Sequence, residues 1–296
     1  MKEIATALPF NYPLKQERDE KPQKTLSFYL PSYDGTKIAL DVTLPECAKE
    51  EKVPAIVMVT RGNRRNIQDF ETAIGKEFVK AGYAHISVEL RGCGVSFGIN
   101  RSFCDEDHCR DLLATVDWVE KQEWCSGKIG IYGGSNRSFI QLCAGALAPK
   151  NITAINPVVA VADFYYQNYP NGVSACPNIS FPKPPLMPSK TEFLKTATPV
   201  DEDIAGDMAY EAFSQEQWPN NLNFFETLFM PSMNRDSEHP LYNFDKTNMT
   251  IPPYGKLDAF YKTGVKQHQF IGELESGTLG QLALFIDSGG SVCIGP

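Results

Sequence analysis

The sequence lacks a long hydrophobic run, and none of its windows approaches the roughly 20 apolar residues that a membrane-spanning helix needs. Its start also lacks the apolar stretch of a signal peptide. We therefore expect a cytoplasmic protein with no membrane partner. The net charge is -8 at pH 7 and no segment is rich in Lys or Arg, so we expect no nucleic-acid partner either.

The cysteines show no paired spacing. The eight cysteines include no C-x-x-C pair, and a chain of 296 residues with 42% hydrophobic content can form a core without disulfides. We expect mostly free thiols. The densest cluster, Cys104 to Cys109, has no second pair of ligands nearby and does not fit a structural zinc site. It is interpreted as an exposed acidic helix start, and no metal or cofactor is expected.

Short apolar runs alternate with helical patterns through the first half of the chain. Segments 26–30 and 37–44 flank an Asp-Gly turn and predict a β-hairpin. Buried strands are predicted at 53–60, 83–90 and 128–132, and helices at 70–81, 105–122 and 139–147. Repeated β–α–β units predict an α/β protein with a doubly wound, mostly parallel sheet. Ligands of such sheets bind at the carboxyl ends of the strands, where the loops after these strands meet.

The composition changes after residue 164. Residues 165–255 are rich in Pro, Asn, aromatic and acidic residues with short helical stretches, which predicts an inserted, mainly helical cap. Apolar segments at 265–271 and 291–294, around a helical pattern at 279–286, then return the chain to the sheet. The predicted organisation is a flexible N-terminus at 1–24, a core at 25–164, the cap at 165–255 and an incomplete last part of the core at 256–296.

Ser135 lies in the strongest local pattern for chemistry. It follows Gly133-Gly134 between a predicted strand and a predicted helix, and Arg137 replaces the last glycine of the G-x-S-x-G pattern. Such a turn exposes the serine hydroxyl and directs the next backbone N–H, that of Asn136, at the carbonyl oxygen of a substrate. Gly133 is expected because a side chain there would strike the neighbouring strand. The pattern predicts Ser135 as the nucleophile of an acyl-transfer hydrolase and Asn136 as an oxyanion donor.

A second glycine-rich segment, Glu89 to Val95, follows another predicted strand. It lacks the G-x-G-x-x-G order of a dinucleotide site and the Lys-Ser/Thr of a P-loop. A tight turn beside the serine explains these glycines better than a nucleotide site does.

Three segments together resemble a known family. They read YDGTKIALDV at 33–42, GYAHISVELRGCGVSFG at 82–98 and WVEKQEWCSGKIG at 118–130. In this order and spacing they are similar to the cocaine-esterase and X-prolyl dipeptidyl-peptidase group of α/β-hydrolases. The likeness covers residues 26–169 and extends more loosely over the last part of the chain.

The resemblance implies an α/β-hydrolase fold with a helical cap, and a Ser–His–Asp triad that cleaves ester, amide or peptide bonds through an acyl-enzyme. It places Glu275 at the position of the triad acid. It also places Asn63 or Arg64 as a second oxyanion donor, where the family has a tyrosine in the loop after the first buried strand.

The triad base has no assignment. The four histidines, at 85, 108, 239 and 268, all precede Glu275, whereas the usual order is Ser, acid, His. The segment at 291–296 resembles the part of the family just before the base, so a chain truncated before the catalytic His and the C-terminal jelly roll is expected. Two functions stay open: a serine hydrolase of small-molecule esters or peptides, X-Pro bonds included, and a catalytically inactive hydrolase-like protein that binds a small ligand or partner. The oligomeric state is open as well.

Overall fold

A seven-stranded sheet organises the molecule, for which a computed structural model describes residues 18–66, 68, 70–100, 106–146, 150–158, 186–221 and 291–292. The strands are β1 Leu26–Pro31, β2 Lys37–Thr43, β3 Val53–Thr60, β4 Ala84–Glu89, β5 Cys125–Gly134, β6 Ile152–Val158 and β7 Ser291–Val292. Their order in the sheet is β1-β2-β4-β3-β5-β6-β7. β1 and β2 form an antiparallel hairpin, β2 is antiparallel to β4, and all other neighbours are parallel. The predicted mostly parallel sheet is confirmed.

Helices connect the parallel strands and continue in the later part of the chain. They are α1 Phe70–Lys80, α2 Glu106–Glu120, α3 Asn136–Ala146, α4 Lys190–Phe193, α5 Asp207–Ala212 and α6 Trp218–Asn220. A π-helical turn, Phe213–Gln217, joins α5 to α6. The helix predicted to begin at Phe139 begins at Asn136, because the turn at Ser135 enters it with no linking loop.

Helices cover both faces of the sheet. Successive residues of a strand point to opposite faces, and β4 shows this directly. His85 stacks against Phe78 of α1 with 6.5 Å between ring centroids, whereas Ile86 belongs to the core that contains Leu112 and Val116 of α2. All six residues of β4 are buried. Burial on both faces explains the continuous apolar runs of the inner parallel strands.

The hairpin at the edge of the sheet is fixed by its turn. Gly35 adopts φ 84°, and the backbone N–H of Thr36 donates to Asp34 Oδ1 at 3.0 Å. The Arg91 guanidinium pairs with Asp34 and also with Asp111 of α2, each at 2.7 Å. The predicted Asp-Gly turn is confirmed, and Arg91 fastens it to the helix layer.

Residues 186–221, called the cap segment below, pack on the hairpin. Glu202 Oε1 accepts a hydrogen bond from the backbone N–H of Tyr29 at 3.0 Å, so the segment covers the outer edge of β1. Apolar side chains of the cap segment, the hairpin and the loop after β4 form one buried cluster. Its members are Phe193, Ala197, Val200, Ala209, Tyr29, Ala39 and Val95.

Helices therefore occur in the described part of the predicted cap. The predicted cap bounds at 165 and 255, the strand at 265–271 and the helix at 279–286 lie outside the described residues. The division into domains stays a prediction. Within the described ranges, no helix is both long and apolar enough to cross a membrane.

Candidate active site

Ser135 occupies a strained turn between β5 and α3. Its φ is 54°, which makes it the one non-glycine residue of the described chain with a positive φ. Its side chain is exposed, while its backbone N–H donates to Val158 O at the end of β6 at 2.9 Å. A non-glycine residue in this region of φ costs on the order of 1–3 kcal/mol. The geometry is that of a nucleophile elbow, as the sequence predicts.

Gly133 is required at the elbow for a different reason from the one expected. Its φ is 142°, and a Cβ built on it would lie 2.7 Å from Arg137 Cβ. The predicted clash with the neighbouring strand is therefore wrong, because Arg137 of the following helix is the obstacle. Arg137 Nη2 in turn donates to Thr60 Oγ1 at 3.0 Å. The residue that replaces the last glycine of the pattern thus links the elbow to the end of β3.

Gln141 of α3 forms hydrogen bonds with both neighbouring strands in the chain, β5 before the helix and β6 after it. Its Nε2 donates to Gly133 O at 2.8 Å, and its Oε1 accepts from the backbone N–H of Asn156 on β6 at 3.1 Å. Both backbone groups belong to the ends of strands next to Ser135. Gln141 was not predicted as a site residue, although an amide among the apolar positions of a predicted helix is a signal for such a role.

Asn136 is the first residue of α3 and is almost fully buried. Its backbone N–H lies at the positive end of the helix dipole, next to the serine on which an oxyanion would form. This position is the one that an oxyanion donor requires. The role of Asn136 as donor stays a prediction.

Asn63 follows β3 and contacts the cap segment. Its Nδ2 donates to Thr196 O at 3.1 Å and to Thr198 Oγ1 at 2.8 Å, and its Oδ1 accepts from the backbone N–H of Arg65 at 2.9 Å. Both amide hydrogens are therefore engaged in the described structure. To donate to an oxyanion, Asn63 must release one contact with the cap segment.

The guanidinium of Arg64 lies at the centre of a buried ionic cluster. Its five N–H groups donate to Asp41, Glu89, Ser27 and the carbonyls of Thr198 and Pro199, at 2.7 to 3.3 Å. The backbone N–H of Arg64 donates to Glu89 Oε1 at 3.1 Å. No donor of Arg64 is left for an oxyanion, so we do not retain this residue as an oxyanion donor. It joins the hairpin, β4 and the cap segment instead.

The glycine-rich segment after β4 forms a closed turn. Glu89 Oε2 accepts from the backbone N–H of Val95 at 2.7 Å, and Glu89 O accepts from Ser96 Oγ at 2.8 Å. A Cβ at Gly94 would lie 2.3 Å from Glu89 Oε2, so the carboxylate fills the space inside the turn. A phosphate has no room there. The tight turn preferred by the sequence analysis is present.

The described histidines, His85 and His108, are both buried. His85 lies near the amino end of β4, away from the edge that carries Ser135, and its Nε2 is 3.1 Å from Tyr132 Oη. Burial lowers the pKa of His85 to about 4. His108 is fully buried in α2. His239, His268 and the predicted triad acid Glu275 lie outside the described residues.

The structure contains a cavity of about 1260 Å³. It lies between the loop after β3, the closed turn after β4 and the cap segment, at the carboxyl edge of the sheet. Ser135 does not line it. Gly62, on its wall, donates its backbone N–H to Thr60 Oγ1 at 3.1 Å, the same hydroxyl that Arg137 contacts. In the part of the chain that is described, no cluster of side chains could hold a metal ion.

The strand order, the antiparallel edge hairpin and the strained serine between β5 and α3 define an α/β-hydrolase. The profile of the X-Pro dipeptidyl-peptidase (S15) family matches residues 34–221. The chain belongs to this family.

Individual relatives match over part of their length. A Mycobacterium bovis protein whose name describes a serine esterase is 30% identical over 169 residues, which are 50% of this chain and 27% of that protein. The cocaine esterase of a Rhodococcus species is 28% identical over 138 residues, 46% of this chain and 23% of that one. A CocE/NonD family hydrolase structure from Staphylococcus aureus has a TM-score of 0.41 at 21% identity, covering 49% of this chain and 28% of its own. The chain thus spans about a quarter of the length of its curated relatives.

Proposed function

We propose that the chain is a serine hydrolase that cleaves ester, amide or X-Pro peptide bonds, with Ser135 as its nucleophile. One observation carries this proposal. A serine is held at φ 54°, exposed, at the carboxyl edge of the sheet and at the start of a helix. Glycine would relieve this strain, and strained non-glycine residues cluster at active sites, so the strain supports a functional role for the Ser135 side chain.

Catalysis would proceed in two steps. Ser135 Oγ attacks the carbonyl carbon of the substrate and passes its proton to a general base, and the negative oxygen accepts hydrogen bonds from the Asn136 N–H and a second donor. Collapse of this intermediate breaks the bond to the alcohol or amine, which leaves with the proton. Water then hydrolyses the acyl-serine by the same route. Asn63 is the candidate second donor, and Glu275 is the candidate acid that orients the base.

The relatives support esters as the first substrates to test. The names of the Mycobacterium and Rhodococcus proteins both describe esterases. Small-molecule esters or peptides are therefore the proposed substrates. The cysteine spacing of the chain fits a cytoplasmic location, which forms part of the proposal.

Labelling with a fluorophosphonate probe tests the nucleophile. The native protein is expected to be labelled and the Ser135→Ala variant is not, because the probe reacts with an activated serine. Ser126→Ala is the matched control, since Ser126 is an exposed serine at the other end of β5. Labelling of Ser135→Ala at the native level would show that another residue reacts. A folded native protein that neither takes the label nor cleaves 4-nitrophenyl acetate would overturn the proposal in favour of a catalytically inactive hydrolase-like protein.

A further inference from the structure

A second cavity, of about 690 Å³, lies on the α1 side of the sheet. Its walls are one face of α1, which carries Gly75, Lys76 and Val79, and the segment just before β1, which includes Lys24. Its floor is formed by β2 and β4. We call this cavity the α1 groove. Its volume falls in the range of about 300–1,000 Å³ that small-molecule sites occupy, and Ser135 does not line it.

The floor of the α1 groove is polar. Asp41 and Thr43 of β2 lie opposite Ser87 and His85 of β4 in the antiparallel ladder, and all four line the groove. Opposite residues of such a ladder point to the same face, whereas the residues between them, on the other face, belong to the apolar core. Polar side chains below an open cavity are typical of a ligand site, because a packed apolar interface would leave them without partners.

His85 presents an unused nitrogen to the groove. The residue is only 8% exposed, and its Nε2 is 3.1 Å from Tyr132 Oη. Its Nδ1 has no hydrogen-bond partner among the described residues and is not closed off from solvent, so it faces the open space of the groove. A Cβ on Gly75 would lie 2.6 Å from His85 Cε1, so the ring keeps its place only because α1 contains a glycine, a residue that weakens helices. The imidazole is neutral at pH 7, since burial lowers its pKa to about 4.

Two lysines on the walls of the groove have no ionic partner in the described structure. Lys24 and Lys76 are exposed, line the groove and form no ion pair with any residue of the described ranges. Lys80 also lines the groove, and it pairs with Glu77, which lies outside the lining. These ammonium groups together give their part of the groove a positive field.

The carboxylates of the described lining already lie beside arginines. Asp41 pairs with both Arg64 and Arg65. Asp201 of the cap segment is close enough to Arg65 to interact with its charge. A cationic ligand would therefore compete with an arginine for each carboxylate, whereas an anionic ligand would meet two lysines that are not engaged in ion pairs.

We propose that the α1 groove binds a small organic anion, whose charged group contacts Lys24 and Lys76 and whose apolar body lies along Val79. The aliphatic stems of the two lysines add to the apolar surface that Val79 supplies. His85 Nδ1 is available for one hydrogen bond to a polar atom of the ligand. The proposal does not depend on Ser135 acting as a nucleophile, because the groove is a separate site.

Hexanoate and hexanamide test the proposal, because they share a hydrocarbon body and differ in charge. The ring signals of His85 are followed by NMR during each titration at pH 7 and are assigned with His85→Gln. We expect saturable shifts of these signals, with a Kd for hexanoate on the order of 1 mM and a Kd for hexanamide about tenfold higher. Equal Kd values for the two compounds, or no saturable shift of the His85 signals, would overturn the proposal.

Paired lysine variants locate the charge that attracts the anion. Lys24→Gln/Lys76→Gln is expected to raise the Kd for hexanoate about tenfold and to leave the Kd for hexanamide unchanged. Lys21→Gln/Lys52→Gln is the matched control, because it also removes two exposed lysines, neither of which lines the groove. Its Kd for hexanoate should equal that of the native protein. An equal rise in both double variants would mean that the net charge of the chain attracts the anion, and the proposal would then be wrong.

Discussion

The closed turn after β4 and the elbow after β5 lie at the same edge of the sheet and use similar backbone conformations. Gly92 and Gly94 have φ of 67° and 55° in the first turn, and Ser135 has φ 54° in the second. In the closed turn, the Glu89 carboxylate fills the interior and leaves no room for a side chain at Gly94. In the elbow, the same region of φ is occupied by a serine whose side chain is exposed.

The comparison shows what distinguishes a functional turn from a structural one. Glycine content does not, since both turns contain glycines with positive φ. The closed turn places its glycines where strain would arise and uses its charged side chains, Glu89 and Arg91, in ion pairs with neighbouring elements. The elbow keeps a strained side chain and exposes it. Strain that could be relieved by glycine is therefore the better indicator of chemistry.

Removal of the support of the closed turn is expected to have the largest effect. Arg64→Met leaves Glu89 buried without its cation, and should lower the free energy of unfolding by about 3–5 kcal/mol in urea titrations. The control is Arg65→Met, which also loses a pair with Asp41 but has a side chain that is 38% exposed. Its expected loss is about 1 kcal/mol or less. Equal losses would mean that Arg64 is not the centre of the cluster.

The two turns follow β4 and β5, which lie on either side of β3, and the side chain of His85 on β4 contacts that of Tyr132 on β5. Burial lowers the pKa of His85 to about 4, against an unfolded value of 6.5. Between these pH values the unfolded chain binds more protons than the folded protein. The contribution of His85 to the free energy of unfolding is therefore fully present above pH 6.5 and is lost as the pH drops toward 4. The loss is expected to be about 3 kcal/mol.

His85→Gln tests this dependence, because glutamine does not titrate. Urea unfolding at several pH values between 4 and 7 should give a variant whose stability depends less on pH than that of the native protein. Parallel curves for the two proteins would show that other groups cause the acid sensitivity.

A methyl group in the closed turn is expected to cost about 2–3 kcal/mol. In Gly94→Ala the new Cβ lies 2.3 Å from Glu89 Oε2 and the backbone keeps φ 55°. Gly127→Ala is the matched control, because its φ is 81° but nothing lies within 4 Å of the new Cβ. It should cost only about 1 kcal/mol, the backbone part. Thermal unfolding of both variants separates the cost of the clash with Glu89 from the cost of the backbone conformation. Similar losses of stability in the two variants would show that the clash costs nothing.

Relief of strain at the elbow is the smallest expected effect. The free energy of unfolding of Ser135→Gly, measured in urea titrations, should be about 1 kcal/mol higher than that of Ser135→Ala, because glycine adopts φ 54° without strain. Both variants lose the hydroxyl, so they form a matched pair. An alanine variant as stable as the glycine variant would contradict the strain at this turn.

The sequence predicts those elements whose conformation is set by residues close to one another in the chain. The hairpin turn at Asp34-Gly35, the inner strands and the serine between β5 and α3 all follow from such patterns. The role of Arg64 could not be obtained in this way. Its partners Asp41, Glu89 and Thr198 are 23, 25 and 134 residues away, and the sequence contains no local sign of these contacts. The resemblance to the family predicted Arg64 as an oxyanion donor, whereas the hydrogen bonds of its guanidinium in the buried ionic cluster give it a structural role.

Gly133 gives a similar lesson at shorter range. Its requirement was correctly expected, but the obstacle belongs to Arg137, the residue at which the sequence departs from the usual pattern. The prediction placed the obstacle on the neighbouring strand, whereas it lies on the helix that follows the turn. The assignment of Glu275 and of a base stays a prediction, since these positions lie outside the described residues.

The hydrogen bond between Glu202 and the backbone N–H of Tyr29 has a consequence for self-association. β1 is an edge strand, and an uncovered edge can pair with a strand of another molecule. The charged side chain occupies a donor that such pairing would use. Release of the cap segment would therefore expose an unpaired strand edge, so that a variant in which this segment detaches should aggregate more readily.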